Sequence, residues 1–127
     1  MKTTFAIFTL ATLLWASTTL AGQPNPPPPQ VIEGNLVDLG CYVMDMSGTK
    51  HAKCGMQCAL KGLPVGLIEE KTGKVYTVLL PSPGLALYME KGVRITGTVS
   101  KEHLLSPEKM EVQEGEAWKT VELPSAM

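Results

Sequence analysis

One short stretch of this chain gathers every cysteine it has, Cys41, Cys54 and Cys58, together with His51, one of its two histidines. Thiolate and imidazole are the side chains that hold soft and borderline metals, and thiols are also the groups that cross-link. Their spacing matters as much as their type. His51-x-x-Cys54-x-x-x-Cys58 puts successive residues one helical turn apart, so a helix starting near Ser47 or Thr49 and ending at Gly62 carries all three on one stripe. Ala52, Met56, Ala59 and Leu60 fall on an adjacent stripe and form the expected core face. Lys50, Lys53, Gln57 and Lys61 form a solvated one. Cys41 precedes the helix and is placed to meet the cysteine stripe.

Two chemistries compete for these residues. In the first, Cys41, His51, Cys54 and Cys58 bind a soft metal ion: Cu(I), or Zn²⁺ held by three sulfurs and an imidazole. Met44 and Met46 would add thioethers. The spacing matches no standard zinc module. In the second, the thiols oxidise and Cys41 pairs with Cys54 or Cys58, leaving one thiol over. Closing such a loop stabilises a small domain by about 3 kcal/mol. Cys54 and Cys58, one turn apart on a helix, meet disulfide geometry poorly. A c-type haem is not expected, because Cys58 is followed by Ala59 and no C-x-x-C-H occurs. A Cys54 nucleophile beside His51 has no visible group to orient it, so the reading is non-catalytic. Asp38 is expected to cap the turn after the first strand, and His103 to sit in a loop.

The elements that position the cysteines are mostly strands. Val31 to Leu39, Val65 to Glu70 and Val75 to Leu80 read as strands, the last two joined by the tight turn Lys71-Thr72-Gly73-Lys74. Pro81-Ser82-Pro83-Gly84 breaks the chain. Leu85 to Lys91 reads as a short helix closed by Gly92. Val93 to Ser100 alternates, with Val93, Ile95, Gly97 and Val99 on one face, and a last strand or pair covers Lys109 to Leu123. The expected fold is mainly β: an OB-like five-stranded barrel. The cysteine helix is inserted between strands 1 and 2, and a second short helix between strands 3 and 4.

The ends and the charge set the context. Lys2 followed by Phe5 to Ala16, then small residues up to Ala21, has the pattern of a signal peptide cleaved after Ala21, and the apolar run is too short to anchor in a membrane. Residues 22–30 are a proline-rich linker, and 31–127 the domain. The expected location is periplasmic or secreted. The formal net charge of −1 offers nothing to nucleic acid, and the four aromatics beyond the leader are too few for a stacking platform. The expected partner is a metal ion or a periplasmic protein.

The run Gly34-x-Leu36-Val37-Asp38-x-x-Cys41, then His51-x-x-Cys54-x-x-x-Cys58, then Gly62-x-Pro64-Val65-Gly66-Leu67 resembles a group of small exported bacterial proteins. The resemblance spans roughly residues 31–99 and implies an exported OB-like domain. More loosely, the strand order is similar to that of periplasmic bacterial OB-fold proteins linked to stress and cation tolerance.

Overall fold

The computed structural model describes Gly22 and residues 24–125; the expected signal peptide lies outside the described residues. The fold is mainly β. Six strands, β1 (Gln30–Asp38), β2 (Val65–Glu69), β3 (Val75–Val78), β4 (Gly92–Val99), β5 (Leu104–Glu114) and β6 (Ala117–Val121), form one sheet in the order β3-β2-β1-β4-β5-β6. Neighbours in that order are antiparallel. A short parallel pairing of β3 with β5, Thr77 opposite Leu104 and Val78 opposite Leu105, links the first five strands in a ring.

β1 makes this possible because it is shared. Its first half, Gln30 to Asn35, pairs with β4, and its second half, Gly34 to Asp38, pairs with β2. Gly34 lies where the two pairings overlap, and a Cβ there would run into the carbonyl of Ile68. Only glycine lets the strands approach so closely. Where β4 meets β5 the register shifts between Thr96 and Gly97, opposite Pro107, the residue that cannot donate to the ladder.

The alternation in β4 is realised: Val93, Ile95 and Gly97 are buried, while Arg94, Thr96 and Thr98 are half-exposed. The enclosed core is aliphatic, built on Leu36, Leu67, Leu85, Ile95, Leu105 and Met110, all buried completely. On the outer face Arg94 pairs with Glu33 at 2.8 Å and stacks over Trp118 at 4.2 Å, which ties β6 to the sheet.

Two expected elements differ. The segment after β3 is a 3₁₀ helix over Ser82–Tyr88, ended at Met89, rather than a helix over Leu85 to Lys91, and Gly92 is the first residue of β4 rather than a cap. Pro83 in its first turn permits the earlier start, and the left-handed Glu90 (φ 59°) turns the chain into β4. The last two strands begin at Leu104, five residues before the expected Lys109, because β5 must reach back to pair with β3.

Between β1 and β2 lie α1 (Leu39–Tyr42), a 3₁₀ turn (Thr49–His51) and α2 (Ala52–Leu60). α2 packs on the 3₁₀ helix Ser82–Tyr88. Its buried residues are Gly55 and Ala59, with Ala52 and Met56 half-buried; Leu60, expected in the core, is exposed. Gly55 takes the place that a larger side chain would fill, since its missing Cβ faces Met89 and Asp38.

Candidate metal centre

Asp38 is the last residue of β1 and the cap of α1. Its Oδ1 accepts the Cys41 backbone N–H at 2.6 Å, which starts the helix and turns the Cys41 side chain off the end of the sheet. The expected capping role is met. Asp38 is also the one buried charged residue among the described residues, 2% exposed, and its Oδ2 is buried without a hydrogen-bond partner.

α2 supplies the other two thiols. It ends in a Schellman turn: Leu63 N–H donates to the Cys58 carbonyl at 3.1 Å, Gly62 N–H to that of Ala59 at 2.9 Å, and Gly62 sits at φ 85°. Gly62 thus ends the helix as its sequence position implies. At the other end neither Ser47 nor Thr49 caps. Gly48 occupies the cap of the 3₁₀ turn at φ 91°, with its N–H donated to Glu90 at 2.9 Å, and His51 leads into α2. The helix is therefore held at both ends, with Cys54 and Cys58 one turn apart between them.

The three sulfurs converge. The Sγ atoms of Cys41, Cys54 and Cys58 all lie within 4.8 Å of one another, with Cys41 and Cys54 at 3.9 Å. All three are free thiols, and no disulfide is formed. Cys41 and Cys58 are half-buried and Cys54 is exposed, so the cluster has a floor at Asp38 and opens to solvent over Cys54. His51, also half-buried, is not within the group of donors that the sulfurs form, and Met44 and Met46 are exposed on the turn that follows α1.

The electrostatics follow from the floor. Burial pushes the Cys41 thiol up to about 12, with the Asp38 hydrogen bond and then Cys54 adding to it. Burial also raises Cys58, followed by the charge of Asp38. A buried carboxylate beside thiols favours their neutral form. Cys41 and Cys58 are thus held toward the protonated form, and a cation that replaces their protons offsets the repulsion from Asp38.

Geometry favours such an exchange. A metal with bonds to sulfur near 2.3 Å holds three sulfurs about 4 Å apart in a trigonal plane, close to the spacing present. A disulfide requires about 2.05 Å, and the 3.9 Å pair must close by nearly half. Three soft donors this close together are compatible with a metal site.

A cavity of about 700 Å³ is lined by Pro24 and Pro27 of the proline-rich segment with Tyr76 and His103, and shares no residue with the thiol cluster. No family model matches the chain, and neither does any curated protein or solved structure.

Proposed function

We propose that the chain is a small exported domain that holds a soft metal ion, Cu(I), through the thiolates of Cys41, Cys54 and Cys58. The convergence of three free sulfurs within 4.8 Å is the observation that supports it. Zn²⁺ takes a fourth ligand, and the imidazole of His51 is not among the donors brought together. Cu(I) is satisfied by thiolates alone. The fold of this reading is an OB-like barrel, supported by the ring of pairings and by helices after the first and third strands. No residue acts on a substrate in this account.

A second reading rests on the 3.9 Å contact of Cys41 with Cys54. In an oxidising compartment those two would join, and Cys58 would remain as one free thiol on an interaction module without metal.

Anaerobic titration of the reduced chain with Cu(I) separates the two. The metal reading expects one ion per chain, and a loss of at least tenfold in affinity for Cys41→Ser, Cys54→Ser and Cys58→Ser alike. If Cys58→Ser binds as the parent does, Cys58 is no ligand and the three-thiolate site fails.

A further inference from the structure

The segment that carries the thiols also carries most of the exposed large apolar residues among the described residues. Of nine exposed large hydrophobic residues among the described residues, five stand on the segment that carries the cysteines: Val43, Met44, Met46, Leu60 and Leu63. Val43 and Met44 are 76% and 67% exposed, well beyond what scattered surface apolar residues need. The backbone ties them to the thiols. Met44 and Met46 N–H groups both donate to the Cys41 carbonyl, at 3.0 and 3.1 Å, and Leu63 donates to that of Cys58. Lys50, Lys53 and Lys61, all exposed, lie on the same segment, whose one acidic surface residue is Asp45. The chain as a whole carries a net charge of −1, so this excess of positive charge is local to the segment.

We propose that this face docks an acidic protein that presents a thiol, and that Cu(I) passes between the two through Cys54. The inference rests on the metal reading above. The exposed apolar side chains of this segment supply the contact, its lysines select an acidic partner, and Cys54 is the exposed ligand. The transfer is a ligand exchange. The bond from the metal to Cys54 breaks as a bond to the partner's sulfur forms, the partner's thiol gives up a proton, and the released Cys54 takes one up. No electron moves, and total charge is unchanged.

The full-length chain loaded with Cu(I) is mixed with two synthetic acceptor peptides, each carrying a cysteine pair and two leucines, one flanked by glutamates and the other by lysines. Transfer to the glutamate peptide is expected at least tenfold faster at low salt, with the difference collapsing at high salt. The double variant Val43→Ser, Leu60→Ser touches no ligand and no core residue. It should bind the same copper and transfer it at least fivefold more slowly. Equal rates to both peptides, with the double variant unaffected at full copper stoichiometry, overturn the docking face and leave the metal site standing. A chain that takes up no copper overturns the metal reading and the docking proposal with it. Sedimentation of the loaded chain with vesicles of anionic phospholipid, lost in the double variant, assigns the face to a membrane and likewise overturns the proposal.

Discussion

Asp38 and Cys41 are coupled twice, through the cap hydrogen bond and through the field of a buried carboxylate. Asp38→Asn keeps an acceptor for the Cys41 N–H and removes the charge. In the metal-free protein its Cys41 should therefore alkylate at lower pH than the parent's, read as a shift of the pH midpoint in a thiol-labelling series; an unchanged midpoint would remove Asp38 from the account. The raised thiol also makes a stability prediction. A thiol held at about 12 in the folded state, against an ordinary 9.0, contributes stability that is fully present below pH 9 and lost as pH climbs toward 12. Thermal melts of the metal-free chain should fall across that window, and Cys41→Ser should flatten the fall. Much of this was legible in the residues: the helical spacing placed Cys54 and Cys58 on one stripe, and Asp38 three before Cys41 is a cap pattern. What spacing could not reveal is that His51 stands in the turn leading into α2. A 3₁₀ turn advances each residue further than the 100° of an α-helix, so spacing counted as one continuous helix does not describe His51.

At the level of elements, glycines decide where the scaffold is tight and where it has room. Gly34 has none, because a methyl group there meets the Ile68 carbonyl, and backbone cannot move aside as a side chain can. Gly34→Ala should cost about 1–3 kcal/mol in urea melts, the usual range for forced overpacking. Gly55 is the reverse case. Its Cβ would lie 3.5 Å from the Met89 side chain and 3.9 Å from the Asp38 Cβ, ordinary contacts, on a helix where glycine is a poor former. Gly55→Ala should stabilise by about 0.5–1 kcal/mol and leave the thiols reactive as before; a loss of stability would show that the Met89 side chain does not accommodate the methyl group. The strands were readable because their apolar residues alternate, most cleanly in β4. The start of β5 was not, since Leu104 to Glu108 holds a proline and shows no alternation, and its strand character comes from pairing with β3 and β4. Leu60 misled for a related reason. Its position on the wheel is apolar, but α2 packs on the 3₁₀ helix and the end of β1 through Gly55 and Ala59, and Leu60, next to Ala59, is left exposed.

Taken whole, the molecule is a ring of paired strands with one helical insertion that lifts three thiols clear of the sheet. Circular dichroism of the chain should show mainly strand with a minor helical share, and metal loading should leave that spectrum nearly unchanged while raising the melting temperature, because the ion binds the folded cluster and ties β1 to α2. A spectrum that gains substantial helix on loading would mean that α2 forms only around the metal. The central claim is that three sulfurs of one chain share one ion, and it is tested most directly by metal analysis run beside a free-thiol count on the same sample, purified without added metal or reductant. The account predicts one soft metal ion per chain and, once that ion is stripped under anaerobic conditions, three titratable thiols. One titratable thiol with no metal would contradict it, and would mean that two of the three cysteines are joined in a disulfide.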